Sequence, residues 1–553
     1  MGAKSNKIFD NDNVSQMKNA EENMNQKDRI KFITLLILRL IGLLALLYLF
    51  VCSLDLMSSA FRLIGGKLTG KVFAEGAILS NPIAGLMIGL LTTVIVQSSS
   101  TSTSIVVSMV SSSILPVKQA IPIIMANIGT SVTNTLVALT QSGKREEFSL
   151  AFAGATVHDM FNWLTVLILL PIEIASNMLY HLTESITKSI NLKRNPNSNP
   201  EFLTAITKPL TQRIIQLDNH VIEAIALGNA SADISLLKRY CSFKNESVND
   251  TFIQVPDKYC SFLFVKVQWA DWLIGLVLLI ISLVCLCLCL FLLVKILQSL
   301  LKGAVKNIIF NVVNTDFPGI FKHLTPYLAI LVGCILTILV QSSSIFTSTL
   351  TPLVGLGVIT IERVYPFTIG SNIGTTITGI MAALTATSEK DLRNSLQIAL
   401  CHTFFNIIGI LIWFPIPFMR FPIPMAKKLG EITAKYRWFA VLYIVCSFFL
   451  IPLIVFGLSL AGWYVFGGVL GPIVLVIILI ILINILQRFK PKLLPIPLRT
   501  WLWLPVPFRS LDFYDKYLFG KKCFKCKKKV HSMTNDEDIH KNETYIDDIV
   551  EYL

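Results

Sequence analysis

Charge is scarce in this chain. Only 15% of its 553 residues are Asp, Glu, Lys or Arg, against about 25% in ordinary soluble domains, while 53% are hydrophobic. With a mean hydropathy of +0.65, that shortage excludes a typical soluble fold and implies an all-α polytopic membrane protein. Catalytic signatures are missing too: neither a GxSxG elbow nor an HExxH zinc pair occurs. His158 and Asp159 are adjacent, so on one helix their side chains diverge by about 100° and cannot form the usual series of nucleophile, base and orienter. No enzyme activity is expected. The first thirty residues are polar and charged, so no cleavable signal peptide is expected before the first span. Met1-Gly2 opens like a myristoylation site, but Asn6 stands where Ser or Thr is required.

What is present is a series of apolar runs. Several, such as 33–54, 148–174, 272–297, 392–414, 438–461 and 465–486, approach the ~20 residues that cross hydrocarbon. Others, at 78–96, 105–115, 326–340 and 346–358, are shorter and flank Ser-rich stretches, which makes them candidates for re-entrant or broken helices. Much of the net charge of +14 borders apolar spans, as in 420–437 and 488–529. That is the positive-inside pattern, so no nucleic-acid partner is expected.

Between the spans near 174 and 272 lies one long polar loop with three sequons, at Asn229, Asn245 and Asn249. It also carries Cys241 and Cys260, the two cysteines outside both the apolar spans and the tail. The combination predicts an extracellular, glycosylated loop with a disulfide. An odd number of crossings must then precede the loop if both termini are cytoplasmic. Reading 78–115 as a hairpin with Gln97–Ser104 at its tip gives three crossings, whereas one broken span gives four. The hairpin is therefore expected. The chain then divides into a cytoplasmic tail (1–31), a first transmembrane half (32–176), the extracellular loop (177–263), a second transmembrane half (264–486) and a cytoplasmic tail (487–553).

The two halves repeat. Gln97-Ser98-Ser99-Ser100 returns as Gln341-Ser342-Ser343-Ser344, Asn127-Ile128-Gly129-Thr130 as Asn372-Ile373-Gly374-Thr375, and His158 with Phe161-Asn162 as His402 with Phe405-Asn406. The offsets are 244, 245 and 244 residues in the same order, which chance does not supply. By the topology above one copy enters from outside and the other from inside. Inverted repeats with interrupted helices are the architecture of secondary transporters.

An isolated Ser or Thr in a membrane helix serves packing or bonds back to its own carbonyls. Here Gln97 to Ser104 is one glutamine followed by seven hydroxyl residues, covering every helix face. A helix break there frees N–H groups and a positive dipole end for an anion, while free carbonyls and hydroxyls suit a hard cation such as sodium. Neither QSSS core contains Lys or Arg, so a bound anion needs co-bound cations, a physical reason for coupling the two.

Both QSSS motifs, with "AIPIIMANIGTSVTNT", "AFAGATVHDMFNWL", "NTDFP", "GVITIERVYPFTIGSNIGTT" and "AKYRWFAVLYIV", closely resemble the type II sodium-dependent phosphate cotransporters, solute carrier family 34. The resemblance covers about residues 33–509 and is greatest to the type IIb form. It implies a symporter that imports inorganic phosphate, mainly as the divalent ion, by alternating access, with sodium as driving ion and no cofactor. It places phosphate on Ser98, Ser99, Ser100, Ser342, Ser343 and Ser344. One sodium site would use Gln341, Ser342, Thr375, Thr378 and Thr135, and another Asp159, Gln141, Asn162, Ser371 and Asn372. It also implies the plasma membrane, apical in epithelial cells. Sulfate or a dicarboxylate as substrate, or an ion channel, are the other readings.

Asp159 is the one carboxylate between Phe148 and Leu170, and an intramembrane carboxylate costs at least ~2.5 kcal/mol unless paired or hydrated. In the family, alanines at the places of Ala153 and Ala155 with Asp at that of Asp159 mark electrogenic members that couple three sodium ions to one phosphate. Two positions depart from the family pattern: Lys144 replaces an Asp in Gln141-Ser142-Gly143-Lys144, and no Gly precedes Ala126-Asn127. In the tail, Cys523 and Cys526 among lysines read as palmitoylation sites, and Glu551-Tyr552-Leu553 is a weak match to a PDZ-scaffold ligand.

Overall fold

The computed structural model describes residues 26–74, 81–111, 114–189, 208–218, 221, 224–225, 227, 230–231, 234–248, 251–300, 314, 316–317, 319–340, 342–384 and 389–519. The first half holds α1 (Gln26–Ala74), α2 (Pro82–Val96), α3 (Ser99–Ser111), α4 (Val117–Ile124), a 3-10 turn (Asn127–Ser131), α5 (Val132–Leu139) and α6 (Arg145–Ser176). The connecting loop contributes α7 (Met178–Ser189), α8 (Lys208–Ile214) and a hairpin of β1 (Tyr240–Val248) with β2 (Thr251–Tyr259). The second half holds α9 (Asp271–Leu300), α10 (Thr325–Val340), α11 (Ser343–Gly355), α12 (Ile361–Ala383), α13 (Glu389–Trp413) and α14 (Pro422–Lys435). A span of α15 (Arg437–Val445), a π-helical turn (Cys446–Leu450) and α16 (Ile451–Leu460) follows, then α17 (Trp463–Phe489). Residues 467–553 cluster as a separate unit.

Among the described residues eight helices are long and apolar enough to cross a membrane. The arm ending at Val340 qualifies, whereas α12, with 23 residues, does not. Buried Ser371, Asn372, Thr375 and Thr376 lower its hydropathy, so composition alone overlooks a helix that lines the interior.

Both QSSS segments are hairpin tips. Asn81 caps α2 by accepting from Ile83 and Ala84 amides at 3.0 and 3.4 Å, with Pro82 at the first helical position. The helix stops at Gln97, whose φ of 53° is left-handed and unusual for a residue with a β-carbon. Its side chain compensates, donating to the Val94 carbonyl at 2.5 Å and accepting from the Thr133 hydroxyl. Ser98 then caps α3 by accepting the Thr101 amide at 3.2 Å, as Ser342 caps α11 by accepting the Ile345 amide at 3.3 Å.

Close glycine contacts set the directions. A β-carbon at Gly85 would lie 3.4 Å from Ile123, and one at Gly129 would lie 2.7 Å from the Leu90 carbonyl oxygen. Residue numbers rise together, so α2 and the 117–139 segment run parallel. Because α4 starts soon after α3 ends, α3 must run back along α2. The second half repeats this: Gly370 packs on Ile330, and a β-carbon at Gly374 would sit 2.7 Å from the Cys334 carbonyl oxygen, so α10 and α12 are parallel and α11 runs in the reverse direction beside them.

The hairpins are also inverted relative to each other. Asn134 on α5 meets Thr347 and Ser348 near the start of α11, and Gln141 beyond α5 meets Gly355 at its end. Thus α11 is parallel to α5 and α10 is antiparallel to α2. The hairpins enter from opposite faces of the bundle.

Large side chains fill the space between the halves, with Phe148, Phe152, Phe161, Tyr365, Phe405 and Phe414 fully buried. In the connecting loop, Cys241 and Cys260 are disulfide-bonded at the base of the hairpin, where Tyr240 stacks on Tyr259. Asn245 lies in β1, and the sequons at Asn229 and Asn249 fall outside the described residues. Asp271 fastens the loop by accepting from Ser235 and the Leu236 amide at 2.7 and 3.0 Å while paired with Lys67 at 3.0 Å.

Candidate functional site

Each serine cluster sits at the N-terminus of a 13-residue helix whose first N–H groups and dipole favour negative charge. The Ser98 hydroxyl lies 3.1 Å from that of Ser100 and 2.9 Å from that of Thr101; the Ser342 hydroxyl lies 3.3 Å from that of Ser344. Ser99, Ser343 and Ser344 are buried and Ser100 and Ser342 half-buried, so these groups offer uncharged donors and acceptors away from bulk solvent. Among the described residues no hydrogen bond joins one cluster to the other. Both tips nevertheless hang on one turn of α5: Gln97 bonds Thr133, and the next residue, Asn134, accepts from Thr347 and Ser348 at 2.9 and 2.8 Å. Gln341 lies outside the described residues.

The pseudo-symmetry extends to these contacts. Thr347 stands to Thr103, and Asn134 to Gly379, at the repeat offsets, and a β-carbon at Gly379 would lie 3.0 Å from Thr103. His158 and His402 are likewise paired. His158 lies 3.0 Å from the Ser131 hydroxyl and 2.5 Å from Asn372 Oδ1, while His402 lies 3.4 Å from the Thr103 hydroxyl. Both histidines therefore work as hydrogen-bonding links between elements.

The residues that the resemblance assigns to sodium are joined to one another only in part. Asn162, Ser371 and Asn372 are adjacent: Asn372 donates to Asn162 Oδ1 at 2.9 Å, and Ser371 accepts from Thr337 at 2.8 Å. Thr135, Thr375 and Thr378 bond back to carbonyls of their own helices at 2.9, 2.9 and 2.6 Å, leaving hydroxyl lone pairs for a cation. Gln141 stands apart. It contacts Gly355, which also touches Ala151, eight residues before Asp159, so it lies ~12 Å from Asp159 along the axis of α6. Both amide atoms of Gln141 are buried without a partner.

Asp159 is fully buried and faces α15, where Tyr443 donates to its Oδ2 at 3.0 Å. The Ser131 hydroxyl, which bonds His158, also lies beside Asp159, and Asn162 is one helical turn along the same face. The nearby alanines are small for a packing reason: Ala153 lies against Gly430 of α14, and Ala155 shares a cluster with Ala138, Phe152 and Ala440. Lys144 is exposed and ion-paired with Glu147 at 2.6 Å, so its charge is balanced locally.

Against known families, the model described as Na+/Pi-cotransporter matches residues 49–170 and 285–459, the segments that carry both hairpins. The chain belongs to the sodium/phosphate cotransporter family. It is 55% identical over 507 residues to sodium-dependent phosphate transport protein 2B of Homo sapiens, covering 86% of this chain and 73% of that one. It is 54% identical over 484 residues to transport protein 2A of Rattus norvegicus, covering 86% and 76%, and 53% identical over 492 residues to 2A of Oryctolagus cuniculus, covering 87% and 76%. No solved structure matches. This cotransporter also has residues bonded to the candidate site that the sequence reading missed: Thr133, Asn134, Ser131 and Tyr443. Asn134 could have been found as an amide in an otherwise apolar span. Tyr443 carries no such signal, since it joins Asp159 only through the packing of α15 on α6.

Proposed function

We propose that this chain is a sodium-coupled symporter that imports inorganic phosphate, with three sodium ions per divalent phosphate. The observation that carries the reading is the pair of oppositely entering hairpins, each broken at a QSSS motif and both tied to Thr133–Asn134 of α5. Two helix N-termini ringed by hydroxyls bind an oxyanion without a permanent cation, so phosphate enters together with sodium. Ser98, Ser99, Ser100, Ser342, Ser343 and Ser344 hold phosphate. Gln341, Ser342, Thr375, Thr378 and Thr135 serve one sodium ion, and Asp159, Asn162, Ser371 and Asn372 another. Gln141 joins that second set only if α6 and α11 shift relative to each other during the cycle.

Three positive charges against two leave one net charge per cycle, worth about 2.3 kcal/mol per 100 mV of membrane potential. The pairing of Lys144 with Glu147 favours retained electrogenicity, because the added cation is neutralised at the surface. The protein acts as a transporter with no catalytic role, in the plasma membrane, apical in epithelial cells, with both termini cytoplasmic and the connecting loop outside and glycosylated. The C-terminal PDZ ligand and Cys523 and Cys526 fall outside the described residues.

The test is voltage clamp of expressing cells with simultaneous labelled-phosphate uptake. An inward current of one charge per phosphate, dependent on sodium and absent with sulfate or a dicarboxylate, is expected. Current without saturable phosphate dependence would mean a channel, and uptake without current would remove the third sodium ion.

A further inference from the structure

Asp159 has two hydroxyl neighbours, Ser131 and Tyr443, but its two oxygens are not equally held. Its Oδ2 accepts the Tyr443 hydroxyl at 3.0 Å, while Oδ1, equally buried, has no hydrogen-bond partner. A buried carboxylate oxygen without a donor is costly, and it leaves Oδ1 open to a ligand where Oδ2 is already bonded. The equivalent position in the other repeat needs none: Thr403 satisfies itself by donating to the Ala399 carbonyl at 3.1 Å.

Tyr443 is itself fixed on both sides. Its ring packs edge-on against Phe152 at 5.8 Å and against Phe448 at 6.0 Å between centroids. On a regular α-helix, residues five apart point about 140° away from each other. The π-helical turn Cys446–Leu450 opens the spacing and brings Phe448 onto the side of Tyr443. Such turns interrupt helices frequently at functional sites.

We propose that Tyr443 is a positioning residue of the sodium site: its hydroxyl fixes the Asp159 carboxylate through Oδ2 so that Oδ1 faces a transported sodium ion. The inference rests on the reading of Asp159 as a sodium ligand. Tyr443 stays with the carboxylate throughout binding and never touches the ion.

The test is Tyr443→Phe, which keeps the ring and removes the hydroxyl, with uptake normalised to surface protein. The sodium concentration for half-maximal phosphate uptake is expected to rise about 3–10-fold, the loss of one hydrogen bond to a charged group after partial relaxation. The phosphate KM at saturating sodium is expected to stay within about two-fold. In an Asp159→Gly background, which removes the acceptor, the same change is expected to add nothing to the remaining uptake, because the cycle removes their shared interaction. Unchanged sodium activation in Tyr443→Phe overturns the proposal, as does a full effect that persists beside Asp159→Gly, which would make Tyr443 a packing residue alone. Should the phenylalanine variant fail to reach the surface, it is purified, reconstituted into liposomes and read against the same thresholds. A wild-type protein without phosphate-induced current would sink the electrogenic reading instead, a result separable from normal current with an inert Tyr443.

Discussion

Placing a methyl group at Gly374 tests the close parallel packing on which the hairpins and their inversion rest. A β-carbon there would lie 2.7 Å from the Cys334 carbonyl oxygen and 2.7 Å from Thr337 Cβ, where ordinary contacts begin at 3.4 Å. Neither neighbour is the end of a flexible side chain. Helices α10 and α12 must therefore separate by about 0.7 Å, an overpacking that costs roughly 1–3 kcal/mol. The same separation stretches the Thr337 to Ser371 hydrogen bond, now 2.8 Å, beside a residue assigned to sodium. Gly129→Ala is the matched perturbation in the first repeat, with a β-carbon 2.7 Å from the Leu90 carbonyl oxygen and 2.8 Å from the Val94 nitrogen. Gly457→Ala is the control, since nothing lies within 4 Å and helix propensity favours alanine by ~1 kcal/mol. The assay is heat challenge of detergent-solubilised protein, read as the surviving monodisperse fraction, with sodium-dependent uptake measured in parallel. Both Gly374→Ala and Gly129→Ala are expected to lower survival and uptake while Gly457→Ala does neither. Wild-type behaviour of the first two would refute the close parallel packing and, with it, the inferred inversion.

Three further outcomes follow from the site. Asp159→Gly is expected to abolish net current while leaving some phosphate uptake, checked as charge per phosphate under voltage clamp; unchanged current would remove Asp159 from the sodium set. Lys144→Ala is expected to leave charge per phosphate unaltered, because an exposed ion pair such as that with Glu147 contributes about 1 kcal/mol or less; a switch in coupling would place Lys144 within the field of the ions. Replacing Cys241 and Cys260 together by Ser is expected to make the connecting loop protease-sensitive, since the bridge closes the β-hairpin and such links contribute about 2–4 kcal/mol; unaltered digestion would show that the Asp271 contacts alone hold the loop.

Much of this design was legible in the order of residues. The repeat offsets of 244 and 245 mark both QSSS segments and the paired histidines in the sequence alone. Parity of crossings favoured a hairpin over a broken span, and the glycine contacts give that hairpin. Other parts were not legible. Hydropathy ranks α12 below the membrane-crossing helices because its polar residues face inward, and a one-dimensional average carries no direction. The resemblance grouped Gln141 with Asp159, yet the helix between them keeps them ~12 Å apart along the axis of α6 in this conformation.

By itself the sequence determined a membrane protein built of two related halves with hydroxyl-rich breaks, because composition, period and repetition are properties of the chain alone. Only the tertiary structure decided which side chains share a site. Thr133 and Asn134 bind two hairpins from opposite faces, His158 reaches Asn372, and Tyr443 reaches Asp159 across 284 residues. Those pairings depend on helix crossing, rotation and one π-helical turn. Such packing variables leave no local period in the sequence, because each is set by the fit of helices remote from one another along the chain.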